Sequence, residues 1–316
     1  MTAPAVAADA TGAVGRPALP RRADRVSGLV EAYFKAHTLI VYAFLYIPIA
    51  VVVLFAFNGT ERVVTKWEGL SLRWFDIALN DVVVHDALRN SFIVAVPNAI
   101  LATAFGTMAA LGLQRVGKKL RLAFDSLTYI SVIVPEIVIA LSTLVLFASG
   151  FDIVRSTFGV RLGLSHPTII AAHVLFNTSL VLLLVRARLS SMDRTLTDAS
   201  SDLFATPWRT FRQITFPQLL PAIVAGFLLA FTFSFDDYVI TSFVSGPGSS
   251  TLPLYVFGQV KRGVTPETNA VATMMLAFTL GLLVVGQLLL TWQARRSGRR
   301  ASEASMAGIV TENAAG

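Results

Sequence analysis

Apolar residues fall in six blocks along the chain, at 38–57, 91–113, 122–148, 167–185, 218–244 and 269–292, with charged residues gathered mainly between them. Each block holds 19 to 27 residues, enough for a helix to cross a hydrocarbon layer about 30 Å thick. Four of the six contain no Asp, Glu, Lys or Arg. Lipid cannot satisfy open backbone groups, so the pattern predicts an all-α integral membrane protein with six transmembrane helices. Within 58–90, Ser71 can cap a short helix on which Leu72, Phe75 and Leu79 share a face, lying along the membrane surface or over the bundle. Gly246, Pro247 and Gly248 end the fifth block. Pro97 with Asn98, and Pro135, predict kinks in the second and third.

The polar stretch 196–221, LTDASSDLFATPWRTFRQITFPQLLP, has a grammar of its own. Thr197 reads as an N-cap, with Asp198 and Asp202 near the positive end of a short helix. Thr206 followed by Pro207 reads as a second cap with proline at the first helical position. Pro217 and Pro221 close that second helix. Two short helices with a bend between them make a docking surface rather than a plain connector.

The chain has 316 residues, 54% hydrophobic and 14% charged, far less charge than a soluble domain carries. Its net charge of +7 is a topology signal. With a cytoplasmic N-terminus, 18 of the 26 Lys and Arg fall in cytoplasmic segments, as the retention of positive residues requires. Both termini are therefore expected in the cytoplasm, with contact to membrane lipid and no role for nucleic acid. Residues 1–37 are expected as a flexible N-tail, 38–292 as the membrane domain, and 293–316 as a cytoplasmic C-tail, disordered after Arg300.

No cysteine is present, which excludes disulfides and thiol chemistry. His37, His85, His166 and His173 lack metal-ligand spacing, and His173 reads as packed or hydrogen-bonded within the fourth span. The stretch GLQRVGKK from Gly112 to Lys119 has the spacing of a phosphate-binding loop. Lys119 stands where Ser or Thr should hold magnesium, and the segment ends a membrane helix instead of joining strand to helix. No nucleophile or metal constellation appears, so the chain is expected to be neither an enzyme nor the holder of a cofactor.

Asp236 and Asp237 interrupt the fifth span, and an Asp at mid-membrane costs roughly 2.5–3.5 kcal/mol. By helical rise, Asp236 lies roughly 22 Å from the cytoplasmic edge and Glu136 of the third span roughly 21 Å. The three carboxylates can line a water-filled path for a cationic solute, with Phe235 and Tyr238 adding cation–π contacts. The alternative is structural: the acids cap helix ends or pair with Lys261, Arg262 or an Arg of a partner.

The loop resembles the EAA signature of permease subunits of bacterial ATP-binding-cassette importers. Asp198, Ala199 and Ser200 occupy the Glu-Ala-Ala place, Phe204 the glycine place, and Ile214-Thr215-Phe216-Pro217 the Ile-x-Leu-Pro place. Glycine permits a backbone geometry that phenylalanine resists; Phe204 can also serve as an apolar plug in a partner's groove. The stretches SFDDYVI from Ser234, TLP from Thr251, GVTPETNA from Gly263, Pro135-Glu136 and SLRW from Ser71 resemble spermidine/putrescine permeases of the second-permease type.

That resemblance covers residues 38 to 292. It implies the type I importer transmembrane-domain fold and a pathway for polyamines or a related small organic cation. It implies a second permease subunit, an ATPase dimer that binds the ATP and magnesium, and a periplasmic or lipid-anchored solute-binding protein. Docking would fall to Asp198, Ala199, Ser200, Asp202, Phe204, Ile214 and Pro217. Importers of iron, thiamine or another solute share the docking loop, and an ion-coupled carrier is a further alternative, although no internal repeat supports one.

Overall fold

A computed structural model describes the backbone of residues 21–60, 66–193 and 195–314, and side chains at 28 and over 30–60, 66–193 and 195–292. Among the described residues the secondary structure is helical apart from one isolated bridge between Asn58 and Leu70. Six helices among the described residues are long and apolar enough to span a membrane, at Val30–Ala56, Val82–Gly112, Glu136–Phe158, His166–Ser190, Pro207–Phe235 and Pro266–Trp292.

The first helix, α1, runs Arg21–Ala56. It starts well before residue 38, so 21–37 is helical where a flexible tail is expected; residues 1–20 lie outside the described residues. Its sequence there is rich in Ala and Arg and has no proline, and Glu31 pairs with Lys35 one turn on at 2.7 Å, which favours the helix. As far as Val51 it forms a unit by itself, with nearly every side chain exposed. A helix apolar on all sides needs lipid or other membrane helices around it.

The unit from Val52 onward is built on three helices: α3 (Val82–Gly112), α6 (His166–Ser190) and α9 (Phe216–Phe235). One stripe of α3 carries only small residues, Ala95, Ala99, Ala102, Gly106 and Ala110, at spacings of three and four. Small side chains let membrane helices approach closely, and Val181, Leu182 and Val185 of α6 pack into that stripe together with Leu219, Ala230 and Phe231 of α9. Gly106 is where the approach is tightest: a Cβ there would lie 2.8 Å from Val181 Cβ and 3.0 Å from the Leu182 amide nitrogen. Asn98 crosses the same interface, its amide donating to the Ala230 carbonyl (2.9 Å) and its Oδ1 accepting from Asn177 (3.3 Å).

The short helix α2 (Arg73–Asn80) sits over one end of the bundle. Ser71 accepts a hydrogen bond from the Arg73 amide (3.1 Å), as its capping role requires. The buried face differs from the expected one. Trp74 and Ala78 turn inward, Trp74 against Ala56 and Ala270 and Ala78 against Val84, Ala87, Leu252 and Val271, while Leu72 and Leu79 face outward. The helix starts at Arg73, and the face selected is the one that meets the bundle.

Two spans end elsewhere than the apolar pattern indicates. Residues 122–148 divide into α4 (Lys118–Ile133) and α5 (Glu136–Phe158), with Val134 and Pro135 extended between them. Residues before proline are pushed out of the helical region, so the kink expected at Pro135 is a full break. Pro97, by contrast, lies inside an unbroken α3. The fifth span ends at Phe235 and resumes as α10 (Val239–Val244). Beyond it, α11 (Leu252–Arg262) precedes α12 (Pro266–Ala314). The backbone of α12 stays helical past Arg300, where an irregular tail is expected; residues 293–314 are rich in Ala and Arg and contain no proline.

Candidate functional site

The break at 236–238 separates the two aspartates into different environments. Asp237 is 8% exposed and closes the first turn of α10. Its Oδ2 accepts from the Thr241 amide (2.7 Å) and hydroxyl (2.7 Å), and its Oδ1 from the Ile240 amide (3.3 Å). These are the donors a helix start leaves open, and a carboxylate there is favoured by charge as well. His173 of α6 completes the arrangement. Its Nε2 lies 3.0 Å from Asp237 Oδ2 and its Nδ1 2.7 Å from Ser234 Oγ. A carboxylate only accepts, so Nε2 donates to Asp237, while Nδ1 and the Ser234 hydroxyl share the second bond. The carboxyl of Glu136, first residue of α5, interacts with that of Asp237.

Asp236 points away from this cluster. It is exposed, accepts from the Thr279 hydroxyl of α12 (3.1 Å), and borders a cavity of about 380 Å³. Tyr238, Phe257 and Val260 line the same cavity. The Tyr238 and Phe257 rings lie 4.0 Å apart between centroids, and the Lys261 ammonium sits 4.9 Å from the Phe257 ring centre. The ring thus already accepts one ammonium group. A carboxylate beside two aromatic rings supplies both charge and cation–π attraction for an organic cation.

The pathway residues expected from the sequence consequently divide. Asp236 and Tyr238 face open space. Asp237 is buried as a helix cap, and Glu136 is turned toward it. Phe235 is corrected outright: it is 1% exposed and packs among Phe92, Phe231 and Phe278. Sequence reasoning missed Phe257 and Thr279. Phe257 had a readable signal, since Lys261 follows it by one helical turn.

The loop after α6 folds as α7 (Thr195–Asp202) and α8 (Pro207–Thr210), joined by a tight bend. Helix α7 starts two residues before Thr197, and Asp193 accepts from the Thr195 amide (2.9 Å), a bond that holds the Asp193 carboxyl below the usual carboxylate range. Thr206 caps α8, accepting from the Arg209 amide, with Pro207 at its first position. Pro217 does not end that helix. A π-helical turn, Phe211–Thr215, joins α8 directly to α9, with Pro217 in the first turn of α9. The wider turn shifts the hydrogen-bond register and so tolerates a residue lacking an N–H.

Asp198, Ala199, Asp202, Phe204 and Pro217 are exposed, and Ile214 is half-buried. Ser200 is buried, its hydroxyl 2.7 Å from that of Thr210. It ties α7 to α8 and presents nothing outward. The Gly112–Lys119 stretch ends α3 and enters α4 at Lys118, a helix–turn–helix setting and not a strand–loop–helix one.

The chain matches the family described as binding-protein-dependent transport system inner membrane component over residues 102–299. It is 40% identical over 239 residues to the putrescine transport system permease protein PotI of Escherichia coli (strain K12), covering 75% of this chain and 83% of that protein. With the spermidine/putrescine transport system permease protein PotC of Haemophilus influenzae it shares 38% identity over 255 residues, 81% of this chain and 95% of that one. Among solved structures, a bacterial ABC transporter involved in the import of the acidic polysaccharide alginate superposes with a TM-score of 0.67 at 15% identity, covering 89% of this chain and 99% of that chain. At that identity the likeness concerns the fold alone.

Proposed function

Because the chain belongs to the family of binding-protein-dependent transport system inner membrane components, we propose that it is the permease subunit of an ATP-driven importer for putrescine, spermidine or a related small organic cation. The observation that carries the substrate class is the cavity at the helix break. There Asp236, Tyr238 and Phe257 offer a carboxylate and two rings to an ammonium group. The relatives PotI and PotC, named for putrescine and spermidine transport, support the same reading.

In this proposal a second, similar permease subunit completes the pathway, a solute-binding protein delivers the cation, and an ATPase dimer supplies energy. Six spans are consistent with both termini on one side, and the Lys and Arg distribution supports the cytoplasm as that side. Loop 196–221 then faces the ATPase. Because the π-helical turn and α9 continue α8 as one helical rod, a push on the loop reaches Phe235 and the break carrying Asp236. The ATPase states bias a bundle with two conformations, so that the cavity opens alternately to either side. His173 and Asp237 act as positioning residues that fix the break.

The test uses the complete transporter in vesicles. Uptake of labelled putrescine is expected to follow ATP supplied on the ATPase side and to survive collapse of the proton gradient. Phe257→Leu should raise KM for putrescine several-fold with little change in the maximal rate. Uptake that tracks the proton gradient, or a Phe257→Leu variant with unaltered KM, would overturn the respective half of the reading.

A further inference from the structure

Helix α7 ends in a Schellman motif. The Ala205 amide donates to the Ser200 carbonyl (3.1 Å) and the Phe204 amide to the Ser201 carbonyl (3.0 Å), the paired bonds that place the residue between them in the left-handed region. That residue is Phe204, with φ 55°, and among the described residues it alone has positive φ without being glycine. A side chain in that conformation is strained, because its Cβ crowds the carbonyl oxygen. Strain of this kind persists where surroundings or function demand it.

Nothing within the fold demands a ring there. Phe204 is 97% exposed, so no contact among the described residues offsets the strain, and glycine would satisfy the same hydrogen bonds. Its neighbour Leu203 and, beyond the bend, Trp208 are also largely exposed. The exposed carboxylates of Asp198 and Asp202 lie on the helix that leads to it. Within 196–221 they are balanced by Arg209 and Arg212, so the loop has no net positive charge to seat it on an anionic lipid surface, and the carboxylates beside the ring favour a protein recess with a basic rim.

We infer that Phe204 is an aromatic knob held in a strained turn so that it inserts into an apolar, basic-rimmed recess of the ATP-hydrolysing subunit. The inference rests on the docking role proposed above for this loop. It adds that the ring, beyond the two helices, sets affinity for that one partner, at a position where backbone geometry alone would select glycine.

The experiment measures binding of the transporter's own ATPase subunit to the reconstituted permease pair. Four forms are compared: wild type, Phe204→Gly, Phe204→Trp, and a chain with residues 197–205 replaced by Gly and Ser. Phe204→Gly is expected to weaken ATPase binding about tenfold or more, with thermal stability equal to or above wild type, while Phe204→Trp retains most of the binding. Binding unchanged in Phe204→Gly but abolished by the loop replacement overturns the knob and leaves the docking loop standing. Binding unchanged in both overturns the docking reading itself. A Phe204→Gly variant that melts lower than wild type, or that loses binding to anionic vesicles while keeping the ATPase, also overturns the inference.

Discussion

Adjacent aspartates with opposite duties are open to a direct test. Asp237→Ala removes the acceptor of four hydrogen bonds at the start of α10. The Thr241 hydroxyl can turn to His173 Nε2, 3.2 Å away, which rescues those two groups. The Ile240 and Thr241 amides have no such recourse. Each stranded buried donor costs about 1–3 kcal/mol, so the variant should lose about 2–6 kcal/mol. Asp237→Asn keeps the shape and one acceptor oxygen and should lose about 1–2 kcal/mol. Asp236→Asn behaves differently. Its amide oxygen can still accept from Thr279, the site is exposed, and stability should move by no more than about 0.5 kcal/mol.

Function should rank the other way per unit of stability lost. Asp236→Asn removes the charge beside Tyr238 and Phe257 and should cut putrescine uptake about tenfold, equivalent to about 1.4 kcal/mol, in a fully assembled complex. The assay pairs thermal unfolding of the purified permease pair with uptake in proteoliposomes. An Asp237→Ala variant as stable as wild type would refute the capping role. An Asp236→Asn variant with normal uptake would refute the pathway role, and one destabilised as much as Asp237→Ala would show that the two residues had been wrongly distinguished.

Two further outcomes probe the three-helix core. Gly106→Ala drives a methyl into Val181 and the Leu182 amide and should lower stability by about 1–3 kcal/mol; adding Val181→Ala should restore part of it, and strictly additive losses would contradict the close approach. Asn98→Leu strands the Asn177 amide and removes the cross-helix bond to the Ala230 carbonyl and should cost about 1–2 kcal/mol, whereas a melting temperature unchanged from wild type would remove Asn98 from the interface.

The six spans and the two-helix loop were legible because each rests on local information. A lipid-spanning helix must be apolar over its own length, and Thr206-Pro207 carries its helix start in two residues. The ends of the spans were less legible. In the 122–148 block Pro135 and the charged Glu136 mark the place, but a broken chain and a kinked helix have the same composition. The fifth span stops at Phe235 because Asp237 finds Thr241 within its own segment and His173 on another helix, and no local pattern reveals the second partner. Phe235 looked available to a solute for the same reason. Its burial depends on Phe92 and Phe278, which arrive from distant parts of the chain.

Sequence by itself determined that the chain is a helical membrane protein with a polar loop of defined spacing, because hydropathy, caps and prolines act over one or two turns. Only the tertiary structure decided which aspartate faces the cavity, which ring joins it, and that Phe204 stands strained and bare in a left-handed turn. Those outcomes depend on the rotation of each helix about its axis against its neighbours. That rotation is set by close packing such as Gly106 against Val181, between residues far apart along the chain.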